Sequence, residues 1–125
     1  PARPQARLTR PLLACAAATL LHFVHNAEYL QEYPNMPATL TRAGVYTAWL
    51  TQTLIGLAGY VFLRRGWTQT GLVLIGAYAL VCFGGLAHYV VAPISEHMWT
   101  MHATIWLEVV VAALLLAAVI RRIAG

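Results

Sequence analysis

The sequence predicts an all-α integral membrane bundle of four helices, antiparallel between neighbours. Three observations carry this. About 60% of the 125 residues are apolar, and only 10% are charged, against roughly 25% in a typical soluble domain. A soluble fold this small has too much surface for its volume to bury so much apolar area. The apolar residues gather into four stretches, each near the roughly 20 residues that a spanning helix needs. The Arg residues gather at the ends of those stretches.

The first helix is expected over about 11–30, with Thr9 as its cap and Pro11 in its first turn, where a missing N–H costs little. Its length and the polar residues near its end argue for a retained helix rather than a cleaved signal peptide. The second is expected over about 42–63, after a loop that contains Tyr33, Pro34, Asn35, Met36 and Pro37. The third covers about 70–91. The fourth covers about 95–120, with Ser95 as its N-cap. Short connections make sequential helices antiparallel neighbours. Gly44, Ala48, Gly56 and Gly59, and then Gly76, Ala77, Gly84 and Gly85, read as small residues that let helices approach closely.

Orientation comes from the Arg residues. Arg3, Arg7, Arg10, Arg64, Arg65, Arg121 and Arg122 fall at one end of the bundle, and only Arg42 falls at the other. The positive-inside rule then places both termini in the cytoplasm. Trp67, Trp99, Tyr33 and Tyr89 stand where interfacial aromatics belong. The basic residues form no stripe with interleaved aromatics, so nucleic acid is not an expected partner. Cys15 and Cys82 lie in apolar runs and read as buried thiols.

The ionisable residues are distributed unevenly. All five His and all four Glu fall in the half of the bundle opposite the Arg clusters or near its middle. Ionisable groups inside a membrane are costly and usually need a partner or a function. At about 100° per residue, His22, His25, Tyr29 and Glu32 share an arc of roughly 80°, with Glu28 about 40° beyond. Glu108 lies ~18 Å along its helix from Glu96, near mid-bilayer, and His102 points about 120° away from it. Two layers follow: His22, Gln52, Cys82 and Glu108 inside, and His25, Glu28, His88 and His102 outside them.

Several chemistries fit this pattern. His25 and Glu28, spaced i, i+3, can reach one ion from one helix face. With His22, His88 or His102 they make a donor set suited to zinc, copper, iron or nickel. Metal binding in the outer half is the first expectation, with His22, His25, Glu28, His88 and His102 as ligands. Two His on different helices could instead hold a haem or pigment, although C-x-x-C-H is absent. A third possibility is acid–base catalysis on a lipid-soluble substrate, of isomerase or cyclase type. Glu108 would be the acid, with His22 or His88 as the base. The fourth is a structural subunit of an oligomer or larger membrane complex. Without Asp, and with Ser95 as the only Ser, a Ser-His-Asp scheme is excluded.

The stretch His25-Asn26-Ala27-Glu28-Tyr29, followed by Tyr33-Pro34 and Pro37, resembles small bacterial membrane proteins grouped by an H-x-x-E-E motif near the first helix. Leu86-Ala87-His88-Tyr89, Ala92-Pro93, His97 and Ile105-Trp106-Leu107-Glu108 extend the likeness. Tyr29 stands where the second Glu of that motif would be. The resemblance implies a four-helix, multi-pass protein of the bacterial inner membrane and no established activity.

Overall fold

The computed structural model describes residues 6–125, which form an all-helical chain of four rods with no strand. The first rod, α1, spans Ala6–Glu28. It is helical well before the expected start, so Thr9 is an interior residue and not a cap, and Pro11 sits inside the helix. A short 3-10 turn, Leu30–Glu32, closes it. The loop beyond is fixed by Asn35, which takes a positive φ of 55°. Asn tolerates that conformation better than most residues. Its Nδ2 donates to the Val91 carbonyl at 2.9 Å, drawing the loop across the end of the third rod.

The second rod, α2, spans Arg42–Arg64. Thr41 caps it by accepting from the Gly44 N–H at 3.0 Å, which satisfies one orphan donor of the first turn. Gly66, at φ 87°, ends it. The Trp67 N–H reaches the Phe62 carbonyl at 3.0 Å and the Gly66 N–H reaches that of Leu63 at 3.3 Å. This is a Schellman closure, which needs a left-handed residue at its centre.

The third rod is continuous from Thr68 to Val91 but changes its winding. Its α-helical part α3, Thr68–Val81, gives way to a 3-10 stretch, Cys82–Ala87, and then to one α-turn, α4, His88–Val91. Gly84 and Gly85 are weak helix formers, and the tighter winding falls on them. The fourth rod, α5, spans Trp99–Ala124 and starts later than expected. Ser95 lies in a separate 3-10 turn, Ile94–Glu96, so it caps nothing. His97 and Met98 are extended, and His97 Nδ1 donates to the Pro93 carbonyl at 2.9 Å, which holds that bend.

Among the described residues, three rods are long and apolar enough to cross a membrane: Arg7–Glu28, Thr68–Val91 and Trp99–Ala124. The sequence expectation was four. Tyr46, Thr47, Thr51, Gln52 and Thr53 make α2 less apolar than the others.

Glycine sets the tightest packing. A Cβ on Gly71 would lie 2.7 Å from the Leu63 backbone N, and one on Gly56 would lie 2.8 Å from the Tyr78 ring. The rods α2 and α3 therefore meet backbone to backbone, as small residues allow. One apolar cluster, including Leu8, Leu72, Ile75, Leu115 and Val119, fills the Arg-rich end, where Arg7, Arg121 and Arg122 line one pocket. A second, of Tyr33, Met101, Ile105 and Val109, fills the other end. Buried polar residues lie between and beside them.

Candidate functional site

Glu108 and His22 form the centre of that polar layer. Glu108 is 1% exposed and His22 is 2% exposed. His22 Nε2 stands 3.7 Å from Glu108 Oε2, slightly beyond a hydrogen bond. Oε2 has no hydrogen-bond partner. The other ring nitrogen, Nδ1, lies 3.3 Å from Thr104 Oγ1, whose hydroxyl donates to the Met101 carbonyl at 3.2 Å. With its own proton committed there, Thr104 accepts from His22 Nδ1–H. The neutral ring then turns its Nε2 lone pair toward the carboxyl group.

Gly85 makes the space for this pair. A Cβ there would stand 2.9 Å from Glu108 Oε2 and 3.6 Å from His22 Nε2. The sequence pattern assigned Gly85 to helix packing alone, but the 3-10 winding turns its bare Cα toward Glu108 and His22. Gln52, expected at the same depth, is buried on α2 with its Nε2 unpartnered, and no hydrogen bond links it to Glu108.

The five expected metal ligands are not brought to one point. Glu28 turns to the bundle surface, where Arg42 Nη2 lies 2.6 Å from its Oε1 and Tyr46 donates to the same oxygen at 2.8 Å. His25 Nδ1 is 2.8 Å from Tyr33 Oη, and its ring stacks on Tyr29. His88 Nε2 accepts from Asn26 Nδ2 at 3.1 Å. His102 Nδ1 is 2.7 Å from Tyr89 Oη. Among the described residues, no three His, Cys, Asp or Glu side chains are grouped to hold a metal ion. His25 and Glu28 are three residues apart on α1, but each is engaged by a different neighbour.

The imidazoles form a line rather than a cage. Ring centroids run from His22 to His88 at 5.5 Å, His88 to His97 at 6.4 Å and His97 to His102 at 5.9 Å. A metal needs donors that converge, and a haem needs two rings on opposite sides of an open slot. Here the Tyr33 ring packs tilted against His88 at 4.8 Å and Tyr89 stacks on His102, so tyrosine rings stand beside these imidazoles.

Tyr33, Thr104 and His97 are site residues that the sequence reading gave no chemical role. Tyr33 is 3% exposed although it lies in a loop. Burial, the largest influence, pushes its phenol up from the usual value to about 12, against the Thr104 hydroxyl beside it. It therefore stays a neutral phenol that can both donate and accept. Its Pro-rich context marked a loop, and nothing local marked the loop as folding inward. His97 Nε2 is buried with no partner.

No family model, no curated protein and no solved structure matches this chain.

Proposed function

We propose that this chain is a multi-pass protein of a bacterial inner membrane that performs acid–base chemistry inside the bilayer. In this reading four antiparallel helices span the membrane, with both termini cytoplasmic. Exposed Leu13, Leu21, Leu57, Val73, Leu80, Val110 and Leu114 support a lipid-facing surface, which in water would be an aggregation liability. The lower hydropathy of α2 is met by its contacts with α1 and α3.

The observation that carries the function is the approach of His22 Nε2 to Glu108 Oε2 at 3.7 Å, both fully enclosed. A low-dielectric interior keeps such a pair net neutral. One proton is then held between a carboxyl oxygen and an imidazole nitrogen. That is the equipment for adding a proton to a lipid-soluble substrate, or removing one from it. A groove of about 140 Å³ between α1 and α2 supports lateral entry. Leu12, Ala16, Gly56, Leu57 and Tyr78 line it, and Tyr78 Oη lies 3.2 Å from Thr19 Oγ1, one turn of α1 before His22. A cavity of ~150 Å³ accommodates a benzene-sized group, so the groove suits part of a hydrocarbon chain.

Infrared spectroscopy of the protein in lipid nanodiscs tests this. A buried carboxylic-acid band should vanish in Glu108→Gln and shift in His22→Gln. Spectra unchanged by both substitutions would remove the pair from the chemistry.

A transition metal such as zinc, copper or iron at the His-rich end is the second reading, favoured by His97. Its Nδ1 is tied to a backbone carbonyl and its Nε2 is free, as in many histidine ligands. His88 and His102 would have to reorient to join it. Metal analysis of untagged protein, with His25→Ala and His97→Ala, separates the readings. A stoichiometric metal lost in His97→Ala favours the second.

A further inference from the structure

Glu108 and His22 are sealed from water, so a proton needs a route to reach them. The surroundings of His22 contain one built from side chains that both donate and accept. Nδ1 of His22 faces Thr104 Oγ1 at 3.3 Å. The Thr104 hydroxyl neighbours the Tyr33 hydroxyl. Tyr33 Oη faces His25 Nδ1 at 2.8 Å. His25 is half-buried and lines an open pocket of about 480 Å³ at the His-rich end, with Tyr29, Glu32, Met98, Trp99 and Thr100. We propose that Thr104, Tyr33 and His25 form a proton wire that loads and unloads the Glu108–His22 pair from the His-rich face. This rests on the acid–base reading of that pair.

The proton count balances at each step. Thr104 first rotates its hydroxyl from the Met101 carbonyl to Tyr33 Oη. For unloading, Glu108 O–H gives its proton to His22 Nε2, and His22 Nδ1–H gives one to Thr104 Oγ1. The Thr104 hydroxyl proton passes to Tyr33 Oη, and the Tyr33 hydroxyl proton passes to His25 Nδ1. His25 Nε2–H then leaves to water. One proton departs, Glu108 is left as a carboxylate, and every intermediate group ends with the number it began with. Loading is the same sequence reversed. Each member has the donor and acceptor capacity this requires.

The other titratable and polar groups around the line are accounted for. Asn26 of α1 is committed to His88 Nε2. His88 touches the rings of His22 and Tyr33 edgewise or tilted. His97 is anchored to Pro93, and Tyr89 is paired with His102. Glu32 lies close enough to act on the charge of His25 and can collect protons at the mouth. Beyond Glu108, toward the Arg-rich end, the buried residues include Ala79, Ala112, Leu115 and Val119. Cys15 and Cys82 are the only titratable side chains among them besides Tyr78.

Exchange of the His22 Nδ1 proton with solvent, followed by NMR in nanodiscs with ring-labelled histidine, tests the wire without relying on Glu108. Tyr33→Phe keeps the ring and removes the hydroxyl. It should slow exchange by about tenfold or more, the effect of about 1.4 kcal/mol on a barrier. His25→Phe, in a second variant, should do the same if Tyr33→Phe disturbs the fold. Slowing well short of tenfold in a folded variant overturns the wire, as does slowing by His97→Phe in place of Tyr33→Phe. Slowed exchange without a Glu108-dependent infrared band would keep the route and sink the acid–base reading. The band with unchanged exchange would do the reverse.

Discussion

Gly85→Ala places one methyl group into the closest approach between the 3-10 stretch and the acid–base pair. The new Cβ would meet Glu108 Oε2 at 2.9 Å and Ile105 Cγ2 at 3.6 Å. The second contact is ordinary, so the strain falls on the carboxyl group. Elsewhere in a helix, replacing Gly by Ala stabilises by roughly 0.5–1 kcal/mol. Overpacking a close-packed site costs about 1–3 kcal/mol, so the net effect here should be a loss of up to about 2.5 kcal/mol. Removing the carboxyl group with Glu108→Ala removes the clash. In that background Gly85→Ala should be neutral or stabilising, with a coupling of about 1–3 kcal/mol between the sites. Reversible unfolding in mixed detergent micelles can measure all four corners of the cycle. If the two substitutions add to within about 0.5 kcal/mol, Gly85 does not hold the space for Glu108, and the site geometry described above is wrong.

Four further outcomes are expected. In single-Cys variants, Thr39→Cys should react with an impermeant reagent added outside the cell and Thr68→Cys should not; the opposite pattern reverses the topology. Tyr33 titrates as a phenol raised from 10 to about 12 in the folded chain, so the folded state holds the proton more tightly. Its contribution, about 2–3 kcal/mol at ~1.4 kcal/mol per unit, is present below pH ~10 and lost as pH rises toward ~12; Tyr33→Phe should flatten that part of the alkaline stability profile, and an unchanged profile counts against a buried Tyr33. Arg42→Ala breaks an ion pair whose Arg side chain is 67% exposed and should change stability by at most ~1 kcal/mol, read in the same micelle assay. Proteoliposomes of the wild-type chain should hold an imposed pH gradient as well as empty vesicles do; rapid dissipation would mean that a path also continues through the Arg-rich half.

The sequence shows the rods well and their ends poorly. Length and hydropathy locate four helices because those signals are summed over many residues. Helix ends depend on single residues. Thr9 and Ser95 have the chemistry of caps, yet α1 runs through Thr9, and the bend held by His97 on the Pro93 carbonyl delays α5 to Trp99. Periodicity brings His22 and Glu108 inward correctly, since both lie on buried helical faces. It cannot show that Tyr33, in a loop, folds over His25 and His88. That placement depends on the Asn35 bond to the Val91 carbonyl, which spans 56 residues of sequence. Nor can spacing show that Glu28 turns to Arg42 and Tyr46 instead of to His25.

The contrast between the two halves of the bundle bears on the direction proposed for the pair. Several buried side chains retain unpartnered atoms, Asn26 Oδ1 and His97 Nε2 on the His-rich side, Gln52 Nε2 and Thr53 Oγ1 on α2, and Glu108 Oε2 itself. Leaving such atoms buried costs free energy, and an apolar replacement would avoid that cost. On the Arg-rich side, the core is mostly apolar and closes over the tight glycine contacts of α2 with α3, with Cys15, Cys82 and the Thr19–Tyr78 pair as polar groups within it. The line of groups that reaches the pocket at His25 lies on the His-rich side of Glu108. A channel would need continuity on both sides, and a purely structural core would need none. An enclosed carboxyl group facing an imidazole, with a line of hydroxyl and imidazole groups leading to one face, is the arrangement that the proposed centre needs to take up protons from one side.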